Sequence, residues 1–441
     1  RRSAPTATRC SDTVGYAHLT GFDTPGAEPR HAGIANRTRH APDARRHRAA
    51  ATSRSPFVLS TPTEAMQVAV LGAGYAGITL ASRLESKLPD HVDIVVVDES
   101  ETHLVKHEVH RVIRRPAVAD VIQVPLSELL DRATVRTDRV TAIDRDERAV
   151  HLAGGGDLSY DYVAVCLGSV TADYGIPGVA EHGLTLSSID DAHGIRTAFL
   201  SAAGVDTAGG DGVRRGDAPD RLSSDGGANA TASAGGADVV VGGAGLSGVQ
   251  TAGELVALAR EESVTADVTL LEQQPHVAPN FPANFRRAVR EALEERGVAV
   301  STGTTVERAT EGVVETDRGS FDADVFVWTG GITGSEAMGG DRPLVHDDLR
   351  IDRRAFAVGD AAKAVDADGE SVPASASAAI REAKTVATNI ARLVDHDLDD
   401  DGGFVPRLDP YRFDVPGWIV TVGDGTVAQL GPEVVTGRPA G

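Results

Sequence analysis

The sequence predicts an α/β fold made of two parallel β-α-β units and a short β-containing tail. Three observations carry this. Val68, Ala69, Val70 and Leu71 form a continuous apolar run, as suits a strand covered on both faces. Gly72-Ala73-Gly74-Tyr75-Ala76-Gly77 follows, and then Ile78, Ala81, Leu84 and Leu88 recur at helical spacing before a second run, Ile94 to Val97, ends at Asp98. The same series returns at Asp238–Val241, Gly243-Ala244-Gly245-Leu246-Ser247-Gly248, a helix through Val249, Ala252 and Val256, and Val268–Leu271, ending at Glu272.

Each part of this pattern has a task in holding a dinucleotide. Gly72 permits a tight turn, Gly74 lets a pyrophosphate approach the backbone, and Gly77 lets helix and strand pack closely. The helix start offers unpaired N–H groups to phosphate, and Asp98, with Glu99 beside it, is placed to accept from a ribose hydroxyl. Gly243, Gly245 and Gly248, with Leu246 and Ser247 opening the second helix, repeat the arrangement. The carboxylate of Glu272 would repel a 2′-phosphate and so favours NAD(H).

Length and composition bound the alternatives. At 441 residues, two or three domains are expected, and the hydrophobic fraction of 41% can fill their cores. A formal net charge of -21 argues against nucleic acid as a partner. The lysines are Lys87, Lys106, Lys363 and Lys384 alone, a balance that resembles the acidic proteins of salt-loving archaea and would also follow from a GC-rich genome. The two cysteines, Cys10 and Cys166, form neither a redox pair nor a zinc spacing.

Residues 1–65 hold ten Arg, no Lys and five acids without apolar periodicity, and Met66 stands just before the first strand. We expect 1–65 to be a disordered or upstream extension, with a targeting peptide as the competing idea. His103, His107 and His110 lie at i, i+4 and i+7, one face of a helix if the segment is helical; packing explains the spacing as well as a metal would. A short helix after a strand is expected over Val124–Leu130. Arg139–Asp144 and Ala149–Leu152 read as a hairpin, and Tyr160–Ser169 as a buried strand ending at Gly168. The stretch 201–237 is low-complexity Gly, Ala, Asp and Ser, expected as a flexible loop. Asn284–Arg296 should be a helix, and Pro416–Ala428 a hairpin around Asp424-Gly425.

Taken together, the motifs from 66 to about 430 resemble the two-dinucleotide flavoprotein reductases, and Trp328-Thr329-Gly330-Gly331, Val239–Leu255 and Pro373–Ala383 are most similar to type II NADH dehydrogenases. The resemblance implies an FAD domain of the Rossmann kind, 66–185 and 320–400, interrupted by an NAD domain of the same kind, 186–319, with 401–441 as a truncated C-terminal segment. FAD would lie on Gly72–Gly77, Asp98, Glu99, Val140 and Gly168, with Gly359 and Asp360 at its ribityl chain. NADH would lie on the second glycine loop, Glu272, Gly330 and Gly331. The resemblance also implies hydride transfer from NADH to FAD and then two electrons to a quinone, on the cytoplasmic side or the inner face of the cell membrane.

The chain departs from the family pattern in three ways. Gln250 stands where the family often has Glu, at a place implied to face the flavin–nicotinamide junction. Ser377 and Arg381 stand where the quinone-side helix usually has glutamines. The chain stops at Gly441, where the family continues into membrane-lying helices, so a peripheral membrane contact would need a segment beyond it; a homodimer is the other contact the family suggests. A soluble NADH diaphorase or ferredoxin-type reductase shares these motifs, as does an NADH-responsive redox sensor of slow turnover.

Overall fold

The computed structural model describes residues 66–205, 236–399 and 403–437, so the extension 1–65 and most of the 201–237 stretch lie outside the described residues. β1 (Gln67–Leu71) runs through the first glycine loop into α1 (Tyr75–Lys87) and β2 (Asp93–Asp98), with Val68 opposite Ile94 in parallel register. Val68 to Leu71 are all fully buried, which is why the run is continuous rather than alternating.

The chain then leaves this sheet. Thr102–Leu104 pairs antiparallel with Gln123–Pro125, and the short helix α2 (His110–Arg114) lies between them. β3 (Thr134–Thr137) returns to the sheet beside β2. Val140–Asp144, Ala149–Leu152 and Asp157–Ser159 form a separate antiparallel sheet, one strand more than the expected hairpin. β4 (Tyr162–Val165) re-enters on the other side of β1.

α3 (Ile189–Ala202) leads into the second unit, where β5 (Ala237–Gly242), α4 (Leu246–Glu262) and β6 (Ala266–Glu272) repeat the first. α5 (Ala283–Glu295), β7 (Ala299–Thr302) and β8 (Val325–Trp328) complete a parallel sheet of order β7–β6–β5–β8. Val170–Thr171 and Ile332–Thr333, paired antiparallel, carry the chain into and out of this unit.

β9 (Ala355–Ala357) then joins β4, giving the first sheet the order β9–β4–β1–β2–β3, parallel throughout. α6 (Ala376–Leu398) packs along α1, and β10 (Gly417–Val422), β11 (Gly425–Leu430) and β12 (Glu433–Gly437) form an antiparallel tail. The first dinucleotide unit is thus interrupted by the second. No helix among the described residues is long and apolar enough to cross a membrane.

Two further features differ from the sequence expectation. His103 sits in a strand, His107 in a single 3-10 turn and His110 in α2, so the three share no helix face. Val105, with φ -73° and ψ 71°, breaks the helical path between them. In addition, Val109, Val112, Ile113, Ala119 and Ile122 lie in the hydrophobic core of the second unit, with Phe199 and Leu255, although they sit in sequence within the span 66–185. Their apolar faces are buried by α3 and α4 rather than by the sheet that precedes them. Because Ile113 is fully buried there, Ile113→Ala should lower stability by about 2–5 kcal/mol in denaturant unfolding. A loss below about 0.5 kcal/mol would show that the segment does not pack in that core.

Candidate functional site

The two glycine loops have one geometry. Gly72 and Gly243 have φ of +98° and +96°, in the region that only glycine enters freely. A Cβ on Gly77 would stand 1.8 Å from the carbonyl oxygen of Gly72, and one on Gly248 would stand 1.9 Å from that of Gly243. The closest approach in each unit is therefore reserved for glycine.

In both units the acid that ends the second strand is tied to the loop. Asp98 Oδ2 accepts from the Ala73 N–H at 2.6 Å, and Glu272 Oε2 accepts from the Ala244 N–H at 2.8 Å. The other oxygens take the N–H of Ser100 at 2.9 Å and of Gln274 at 2.8 Å. Each oxygen retains capacity for a second donor, as a ribose hydroxyl would supply. α1 and α4 start without a side-chain cap, while α3 and α6 are capped by Ser188 and Ser375. A Cβ on Gly74 or Gly245 would meet nothing within 4 Å. Uncapped N–H groups with open space before them are what a pyrophosphate requires, so both loops fit a dinucleotide.

A third element faces the first loop. Gly359, at φ +68°, would bring a Cβ to 3.0 Å from Ala379 and 3.4 Å from Ala76, which places the Gly359–Ala361 turn between α1 and α6. Asp360 is half-buried, and its carboxylate accepts no hydrogen bond from any described residue. Burial raises its pKa, while the charges of Lys106 and Arg342 pull it down. Arg342 fastens the turn by donating to the Asp360 and Ala362 carbonyls, both at 2.6 Å. A half-buried acceptor with this little support fits a sugar-alcohol chain such as the ribityl group of FAD.

Glu382, 2% exposed on α6, accepts from the Gly359 N–H at 2.6 Å. Burial pushes its pKa up to about 7; Asp360 adds to the rise, while the Gly359 hydrogen bond and Arg342 oppose it. Sequence reasoning missed Lys106, Arg342 and Glu382. Lys106 alone carried a signal, as one of four lysines in the chain.

The other expected residues are placed as follows. Tyr75 opens α1, with its ring edge-on to His103 at 5.1 Å and its hydroxyl bonded to His107 Nδ1. Glu99 is exposed, leaving the loop contact to Asp98. Val140 is buried in the first core, and Gly168 has φ +69°. Gln250 donates to Thr421 Oγ1 at 3.3 Å and lies 3.4 Å from His110 Nε2. Arg381 donates to Ser377 Oγ at 2.6 Å, so these two side chains hold each other. A Cβ on Gly330 would collide with the Trp328 ring at 2.2 Å, and one on Gly331 with the Tyr174 hydroxyl at 2.0 Å. Packing against the buried Trp328 ring thus reserves Gly330 for glycine, whereas the exposed Tyr174 could swing away from a side chain at 331. Tyr174, Trp328, Gly330, Gly243 and Glu272 line one groove with Thr305 at the second loop.

A family model for pyridine nucleotide-disulphide oxidoreductases matches residues 66–383, more than half of the chain. The chain belongs to this family. An NADH dehydrogenase-like protein of Mycobacterium tuberculosis is 30% identical over 283 residues, 61% of this chain and 63% of that protein. The match therefore spans less than two thirds of the mycobacterial relative. A type II NADH:quinone oxidoreductase of Staphylococcus aureus is 26% identical over 401 residues, covering 85% of this chain and 90% of that protein. Among solved structures, NDH2 from Plasmodium falciparum in complex with NADH shares the fold with a TM-score of 0.69 at 12% identity, over 85% of this chain and 92% of that one. The sulfide:quinone oxidoreductase of Aquifex aeolicus shares it with a TM-score of 0.64 at 16% identity, over 85% and 87%.

Glu382 gives this site a pH dependence. Its pKa in the fold, about 7, lies above the ordinary 4.5, so the folded state holds the proton more tightly. That contribution to stability is complete below about pH 4.5 and lost as pH rises through 7. Glu382→Gln keeps an acceptor for Gly359 and removes the titration, so the variant should lack up to about 3 kcal/mol of the decline between pH 4.5 and 7.5. Urea midpoints across that range, with wild type and variant falling in parallel, would contradict it.

Proposed function

We propose that the chain is an FAD-dependent NADH dehydrogenase that hands its electrons to a quinone. The observation that carries this is the pair of matched carboxylate-clamped loops in one family-typed chain, with the Asp360 turn at the first loop alone. The relatives named as NADH dehydrogenase-like and as NADH:quinone oxidoreductase support the direction of the chemistry. FAD, when bound, supplies that chemistry by accepting hydride and relaying two electrons.

The protein's part is to bind and orient. Gly72–Gly77, Asp98 and Asp360 hold FAD, and Gly243–Gly248 with Glu272 hold NADH. Hydride transfer between two cofactors needs no protein acid or base, only a fixed approach of the reacting atoms. A redox-active cysteine has no place in this scheme. Cys166 is 4% exposed beneath the first loop, and burial raises its pKa. Ser377 and Arg381, on the first turns of α6, are the residues assigned to the acceptor, because they stand where the family's quinone-side helix usually has glutamines. A membrane quinone would be met at the inner face of the membrane, from the cytoplasm.

A second reading, an NADH reductase for a soluble or protein acceptor, draws on the Ser377–Arg381 pair standing where the family carries glutamines. Turnover of NADH with a short-chain ubiquinone or menaquinone analogue, against ferredoxin and ferricyanide, separates the two. Quinone turnover at least tenfold faster than ferredoxin turnover is expected, and the reverse order would overturn the quinone reading. Asp360→Ala should be purified without FAD, and full flavin in that variant would remove Asp360 from the site. Glu272→Gln should raise the KM for NADH by roughly ten- to a hundredfold with a smaller change in kcat, as expected for loss of a charge-assisted hydrogen bond. An unchanged KM would contradict the role of Glu272.

A further inference from the structure

The segment from His103 to Arg114 touches both glycine-loop units. At its start, His103 Nδ1 lies 2.8 Å from the Ala73 carbonyl, inside the first loop. Seven residues on, His110 Nε2 lies 2.8 Å from Thr421 Oγ1, and Gln250 reaches both groups. At its end, Arg114 Nε meets Glu254 at 2.5 Å, with side chains 6% and 1% exposed. Arg114 Nη1 also meets Glu261 at 2.8 Å, and Nη2 reaches the Gly423 carbonyl at 3.4 Å. From α3, Arg196 donates to the carbonyls of Ile113 and Arg114 at 3.1 and 3.0 Å. Gln250, Glu254 and Glu261 recur along α4, the helix that begins at the second glycine loop.

A buried ion pair gives little stability beyond what apolar side chains of the same volume would give, because both charges lose their water. It does give direction: charge-assisted bonds fix angle as well as distance. Direction matters here because the reacting atoms of two cofactors on separate sheets must come within about 3–3.5 Å, and a displacement of about 1 Å costs about a hundredfold. Outside this segment and the tail, the described strands that cross between the units are the two-residue pair Val170–Thr171 and Ile332–Thr333.

We propose that residues 103–114 form a latch between the units, in which Arg114 and His110 are positioning residues that set how the nucleotide on the second loop meets the one on the first. The proposal rests on the dehydrogenase reading for its kinetic consequence, but its structural content is separate. The latch fixes α4 relative to Ala73, and breaking it loosens that relation while leaving both loops intact.

The test uses the FAD-loaded protein in three forms: wild type, Arg114→Met with Glu254→Met, and Thr421→Val. The double variant leaves no unpaired buried charge, and Thr421→Val removes one hydroxyl should the double variant fail to fold. In a Cys10→Ser background, spin labels at Ser86→Cys on α1 and Glu295→Cys on α5, both exposed, report the distance between units. FAD content and the Kd for NAD+ should stay within about twofold of wild type. The inter-label distance distribution should broaden, and the charge-transfer absorbance of NAD+ over reduced flavin should weaken. Flavin reduction by NADH should slow by roughly ten- to a hundredfold in the double variant, and less in Thr421→Val. Folded variants with the wild-type distance distribution and wild-type reduction rate would overturn the latch. A wild type that NADH does not reduce would overturn the dehydrogenase reading instead, with the distance distributions still deciding the latch.

Discussion

Everything at this site depends on a carboxylate at the end of a strand accepting a backbone N–H from the middle of a glycine loop. It occurs twice, at Asp98 with Ala73 and at Glu272 with Ala244. A charge-assisted hydrogen bond of this kind contributes roughly 1.5–3 kcal/mol and has a defined direction. It holds the loop in a shape that closes one N–H and leaves those of the following helix turn unpaired. α1 and α4 accordingly carry no side-chain cap, which leaves their first N–H groups and the positive end of each helix free to receive an anion.

Two such loops make a redox enzyme only if their relative placement is fixed and the first is supplied with a flavin seat. The proposed seat would draw on distant parts of the chain: Asp360 after β9, Lys106 before α2, Arg342 before β9, and Glu382 on α6. Its formal charges balance, but burial and the charge of Asp360 raise the pKa of Glu382, which the Gly359 N–H and Arg342 offset in part. The placement comes from chain that has left its own sheet, with Val112 and Ile113 buried in the neighbouring core and Arg114 paired beneath α4.

Much of this was legible in the sequence. The change from a continuous apolar run to helical spacing across each glycine motif marked both β-α-β units, and strand pairing follows from it with Val68 opposite Ile94 and Val239 opposite Val268. What was not legible depends on contacts between residues far apart. His103, His107 and His110 have helical spacing, but His103 pairs with Val124 in a strand, a partner no local window contains. Gln250 meets residues 140 and 171 positions away. Gly330 lies against the Trp328 ring and lines the groove at the second loop with Gly243 and Glu272, neighbours that no local window contains. Such residues take their roles from tertiary packing, which spacing along the chain does not encode.

The most direct measurement is the flavin absorbance of the FAD-loaded protein, without oxygen, as NADH and then NADPH is added. The account predicts that NADH bleaches the flavin and that NADPH does so only at much higher concentration, because Glu272 stands where a 2′-phosphate would fall. A yellow protein that NADH leaves unbleached would mean that the second clamped loop is no working nicotinamide site, and the dehydrogenase assignment would be wrong.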